Sequence, residues 1–314
     1  MTYAELTAAA WMDLDDDEAR RVALAIADAH GLRLTGLGAH EYAGRVHRTA
    51  LFDRAGLAFA LVPGGRVTLG YDGAAFTPTA AQAADYAQTV DEYNAPDLAE
   101  YLDGYTSPVR TVELPASLVA VEALDACRIE LGPEDERVRD LVGSSGARPG
   151  GGIRTYTAGG GLEVRFDGSG KVAGARLVRP TSYDEAVQAL IALGLRPATP
   201  DEWEYACGAG ARTLFRWGDD TPAENPYDLP NGPHRRPNLW GLAIGQDPYR
   251  HEWTAQREIL CGGDGGSAIC GGAGDFFSWT TLATAYRNAE FAEEMNTEDA
   301  YVDEVLLRPV IDLV

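Results

Sequence analysis

The chain has 314 residues, 26 of them basic and 48 acidic, for a net charge of −22 at pH 7. That balance argues against nucleic acid or an anionic membrane as partner, since both demand clustered Lys and Arg. Four cysteines in this length do not build a disulfide scaffold, and no stretch reaches the roughly 18 apolar residues of a membrane span. Asp13, Asp15, Asp16, Asp17 and Glu18 crowd the region where a signal peptide would be basic and then apolar, so a cytoplasmic protein with reduced thiols is expected.

Asp15 to His30 predicts an amphipathic helix. Acidic residues open it where the helix dipole favours them, and Gly31 is its stop. From about Val46 the pattern turns to strands: Leu57 to Val62 is an apolar run, Pro63-Gly64-Gly65 a turn, and Val67 to Tyr71 a second strand. Thr79 to Leu102 reads as helix broken at Pro96, and Val109 to Leu124 as extended chain. The Gly/Ser-rich stretch 143–161 is expected to be an exposed loop leading into a hairpin, Leu162 to Phe166 and Val172 to Val178 around Asp167-Gly168-Ser169-Gly170.

Two capping boxes follow. Ser182 with Glu185 opens a helix over Ala186 to Leu193, and Thr199-Pro200-Asp201-Glu202 opens another that carries Trp203, Glu204, Tyr205 and Ala206. Beyond Gly208 regular periodicity vanishes, yet five of the six tryptophans lie between Trp203 and Trp279. Disordered segments are poor in aromatics, so these loops are expected to be ordered and buried.

These residues carry a resemblance. Arg196-Pro197-Ala198-Thr199-Pro200-Asp201-Glu202-Trp203-Glu204-Tyr205-Ala206 resembles a signature segment of the formylglycine-generating-enzyme (sulfatase-modifying factor) superfamily. Phe215 to Asp219, Pro237 to Leu242, Glu252-Trp253-Thr254 and Ala285-Tyr286-Arg287-Asn288 are similar to its further motifs, in the same order. Phe59 to Tyr71 is similar to its opening strand, so the likeness runs from Phe59 to Val314. The resemblance implies a loop-rich α+β fold related to C-type lectins, with short helices and antiparallel strands. On that reading residues 1–45 form an N-terminal helical extension, 46–314 the family domain, and 143–178 an inserted hairpin.

Members of this superfamily follow several trades, and fold alone does not choose among them. Its copper enzymes use two cysteines five positions apart, because soft thiolates bind Cu(I). Here Gly265-Gly266-Ser267-Ala268-Ile269-Cys270 is similar to the first half of that segment, but Asp275 stands where the second cysteine belongs. Aligning Ile259-Leu260-Cys261-Gly262-Gly263 there instead leaves no cysteine in either slot, and Cys261 and Cys270 remain as an improvised pair in a glycine-rich loop. Cysteine is equally a small buried hydrophobe, and Cys207 is expected to be packing. The iron-dependent branch needs three histidines; His30, His40, His47, His234 and His251 have no such spacing, and His40 and His47 are expected at the surface. The resemblance also implies one structural calcium in the region of Asn225, Asp228, Asn238, Gln246 and Asp247, with Gln246 standing where the family has a ligand asparagine. Those residues also suit plain turns. Asp201, Glu202 and Glu204 form an acidic helix start, and two of them have a capping and dipole explanation rather than an acid–base one.

Two functional readings follow. In the first, the copper–cysteine chemistry is lost and the chain is a binding or accessory module for a protein, peptide or small ligand, held in a groove lined by Trp240, His251, Trp253, Trp279 and Arg287. In the second, the chain is a copper-dependent oxidase of a protein or peptide thiol, with Cys270 as principal copper ligand and Cys261 as its partner.

Overall fold

The structure is a computed structural model and describes residues 2–157, 160–297 and 305–313. Helices α1 (Ala8–Asp13) and α2 (Asp16–His30) come first, followed by strands β1 (Arg33–Tyr42), β2 (Arg45–Arg54), β3 (Leu57–Val62) and β4 (Gly65–Leu69). Helices α3 (Ala80–Tyr93) and α4 (Leu98–Tyr105) flank Pro96 and lead to β5 (Arg110–Leu114), β6 (Ser117–Ala120), β7 (Leu124–Asp125) and β8 (Arg128–Leu131). Then come α5 (Glu136–Ser145), β9 (Gly152–Thr157), β10 (Gly160–Phe166), β11 (Val172–Val178), α6 (Tyr183–Ala192), β12 (Arg196–Pro197) and α7 (Pro200–Gly208). The last part holds β13 (Glu252–Trp253), β14 (Leu260–Cys261), α8 (Ser267–Cys270), α9 (Asp275–Thr280), α10 (Ala289–Thr297), β15 (Leu306–Leu307) and β16 (Pro309–Asp312). The class is therefore α+β, with antiparallel sheets and short helices.

The main sheet has six antiparallel strands in the order β1-β2-β3-β6-β16-β12. Its side chains alternate between two cores, as the two-residue period of a strand requires. Phe59, Leu61, Leu118, Ala120 and Ile311 join a cluster with Trp11 and Ile26, whereas Ala60, Val62, Val119 and Val310 join one with Trp203, Ala206 and Cys207. Helices α2 and α7 thus cover opposite faces. A third cluster, rich in aromatics, gathers α3, α4 and α9 through Tyr86, Tyr101, Phe276, Phe277 and Trp279. A second sheet, β14-β13-β15-β7, joins its strands by one or two residue pairs each and brings Cys261 opposite Glu252.

The caps form as the sequence predicts. Asp15 accepts from the Glu18 amide, Gly31 closes α2 at φ 65°, and reciprocal capping boxes form at Ser182/Glu185 and Thr199/Glu202. The pause at Pro96 separates α3 from α4.

Three expectations are corrected. Strands begin at Arg33, not near Val46: β1 lies inside the supposed 1–45 extension and pairs with β2 across a tight Ala43-Gly44 turn. Trp11 is fully buried, so the extension is part of the main core. The hairpin within 143–178 forms as β10 and β11, but it belongs to a larger unit. The sheet β8-β11-β10-β9 includes a strand, Gly152–Thr157, inside the stretch expected to be loop, and α5 packs on it around Val138, Ile153, Val164 and Phe166. His47 is not at the surface: it is buried, edge-on to Trp240 with ring centres 4.6 Å apart. Among the described residues, no helix is long and apolar enough to cross a membrane.

Candidate functional site

Helix α7 organises the site. Trp203, Tyr205, Ala206, Cys207 and Gly208 leave it almost no polar face, so it is buried along its length and its carboxylates must find partners. Glu202 caps the helix and takes a two-pronged bond from Arg196, both at 2.7 Å. The Trp203 indole donates to Glu252 at 2.7 Å, and Glu252 in turn pairs with the buried Arg308. Glu204 points the other way. Only 3% exposed, it accepts from the Gly70 amide, from Ser107 Oγ at 2.7 Å, and from Arg110 and Arg287, each at 3.0 Å. One carboxylate thus joins the end of β4, the loop before β5 and the loop after α9.

Above this junction lies an open cavity of about 620 Å³. Pro108, Leu114, Pro200, Ile259, Leu260 and Ala289 supply its apolar walls, Arg110 and Arg287 its cationic floor, and Gln256, Glu258 and Asn288 its polar groups. That mix, an apolar surface with a few placed polar groups, is the general character of a small-ligand site. Gly70 is required beneath it. Its φ is +87°, and a Cβ there would meet the Pro108 carbonyl oxygen at 2.1 Å.

The expected site residues are dispersed. Trp253, Trp240 and Trp279 are buried in three different clusters, each packed as core, and none lines this cavity. His251 is buried edge-on to Phe291, 4.9 Å between centres, neither ring nitrogen has a hydrogen-bond partner among the described residues, and burial drops its pKa to about 4. Only Arg287 reaches the cavity. Its Nη1 donates to Cys261 Sγ at 3.1 Å and to its neighbour's carbonyl, and its Nη2 to the Pro200 carbonyl and Glu204.

The two cysteines of the oxidase reading differ in setting. Cys261 is fully buried, and burial pushes its thiol up to about 12 against the opposing effect of Arg287. Cys270 is exposed on α8, its sulfur 3.4 Å from the Tyr249 hydroxyl. A copper-binding pair needs two thiolates facing one ion. Here one thiol is sealed and held neutral while the other stands on the surface, a poor fit. Asp275 opens α9 and carries no soft donor. Cys207 is buried packing, as expected.

The calcium candidates are engaged in turns. Asn238 uses its whole hydrogen-bonding capacity: its Nδ2 donates to the Ala206 and Cys207 carbonyls, and its Oδ1 accepts from the Trp240 and Leu242 amides. Asn225 accepts from the Tyr227 amide and donates to Ser278; Gln246 donates to the Arg235 carbonyl; Asp247 accepts from the Tyr249 amide. Asp228 is exposed. Among the described residues, no three His, Cys, Asp or Glu side chains group as a metal site.

No protein-family model matches this chain, and no curated protein does. The superfamily likeness therefore rests on the ordered motifs. Sequence reasoning missed Glu204, Arg110, Ser107, Gln256 and Glu258. The available signal was the absence of a polar face on Trp203 to Gly208, which marks Glu204 as a buried carboxylate.

Proposed function

We propose that this chain is a divergent protein of the formylglycine-generating-enzyme type, with a C-type-lectin-related fold, that has lost the copper chemistry and works as a binding module. Its ligand occupies the cavity above Glu204. The observation that carries this reading is the separation of roles. A preorganised cavity exists, but its neighbouring thiol, Cys261, is buried, donated to by Arg287 and held neutral, while Cys270 lies exposed against Tyr249. A binding site needs a shaped, fixed wall, which the Glu204 junction supplies. A thiol oxidase needs a reachable thiolate pair.

The test is an anaerobic Cu(I) titration against a competing chelator, on the wild type and on Cys261→Ser and Cys270→Ser. The expected result is no binding above the chelator's competition in any of the three proteins. Tight one-to-one binding abolished by either substitution would overturn the proposal in favour of the oxidase reading.

A further inference from the structure

The cavity's charges are not all available to a visitor. Arg110 spends its five N–H groups inside the protein: on Asp201 through Nε and Nη2, on Ser107 Oγ and the Pro108 carbonyl through Nη1, and on Glu204 through Nη2. Arg287 spends its four Nη hydrogens on Cys261, Tyr286, Pro200 and Glu204. An incoming carboxylate or phosphate would find no open guanidinium fork, which is what anion recognition requires. The acidic side is different. Glu258 lines the cavity, is exposed, and has no ion-pair partner among the described residues. Asp201 is 37% exposed and receives both Arg110 bonds on Oδ1 alone. Counting Glu204 beneath the floor, three carboxylates face two guanidiniums, so the cavity carries one excess negative charge inside a chain of −22. That excess sits beside apolar walls of Leu114, Ile259 and Leu260.

Resting on the reading of this cavity as a binding site, we infer that its ligand is a small organic ammonium. Its apolar body packs against Ile259 and Leu260, and its cationic head is held at Glu258. A volume of about 620 Å³ suits one such molecule, within the range of small-ligand sites. The net charge of the whole chain favours the approach of a cation as well.

The test compares three probes of one shape by titration calorimetry: 2-phenylethylammonium, neutral 2-phenylethanol and anionic 3-phenylpropionate. The ammonium is expected to bind at least tenfold more tightly than the alcohol, and the carboxylate most weakly. Glu258→Gln should erase most of the ammonium's advantage while leaving the alcohol's affinity within twofold. Ile259→Trp, which fills the cavity, should abolish binding of all three. Equal binding of ammonium and alcohol, or tighter binding of the carboxylate, would overturn the inference while leaving the cavity a binding site. An ammonium advantage that survives Glu258→Gln, or binding that survives Ile259→Trp, would overturn the assigned position. Absence of binding by all three probes would overturn it too. The Cu(I) titration stands or falls separately.

Discussion

Glu204 accepts four donors from three segments, and two of them are guanidiniums: Arg110, which also pairs with Asp201, and Arg287, whose carboxylate partner among the described residues is Glu204. Breaking a buried pair by removing one partner is far more damaging than never having had the pair. Glu204→Gln is therefore expected to lower unfolding free energy by about 3 kcal/mol, read from the shift in the urea midpoint. A loss below about 1 kcal/mol would mean that the junction is solvent-compensated. His251 acts oppositely, through a proton it refuses. Its folded pKa of about 4 lies below the 6.5 of an ordinary histidine because burial excludes the charged form. The unfolded chain takes up the proton first as pH falls, so the stability this residue contributes is full above pH 6.5 and lost on descent towards 4. Wild type should lose on the order of 3 kcal/mol more than His251→Phe between pH 7 and pH 4, measured by denaturant unfolding at each pH. Matching pH profiles would refute that assignment.

At the scale of elements, the legible parts were those whose local chemistry is self-contained. Thr199-Pro200-Asp201-Glu202 specifies a helix start through bonds among four neighbours, and Pro96 specifies a break through its own ring; both are seen. Strand β1 was illegible for the converse reason. It is an edge strand with Gly36 and Gly38 in its middle, and its alternation of burial breaks beside each of them. The tryptophans misled because crowding in sequence says nothing about which core each one enters: Trp240, Trp253 and Trp279 each go to a different one. The site was legible only at Arg287, because Glu204 looks like an ordinary carboxylate near a helix start until its burial is known. The N-terminal elements also hold more of the core than their composition suggested. Trp11 on α1 is fully buried and donates to the Arg48 carbonyl on β2 at 2.8 Å. Trp11→Ala should cost about 3–5 kcal/mol by thermal or chemical unfolding, whereas a dispensable extension would give almost no change.

Over the whole molecule, two cores share the main sheet while the unit of α5 and β8 to β11 keeps its own. The buried residues of that unit, from Val138 to Ala175, form a cluster that, among the described residues, draws on no other part of the chain. Its two ends lie side by side, since Arg128 and Val178 are strand partners. Replacing 129–177 by Asn-Gly, a two-residue turn suited to antiparallel neighbours, should therefore leave a folded protein with a single cooperative thermal transition. Collapse of that transition would show that the unit buttresses the main sheet.

The Glu204 junction also bears on how this protein comes into being. Gly70, Ser107, Glu204 and Arg287 are far apart along the chain, and each bond to Glu204 forms only once its own segment has been brought to α7. Completing the cavity floor therefore depends on non-local contacts, the kind expected to form late in folding. The Gly70 amide hydrogen, locked onto a buried carboxylate, can trade with deuterium only when the junction parts. A single proton on the backbone thus keeps time for the opening of the whole site.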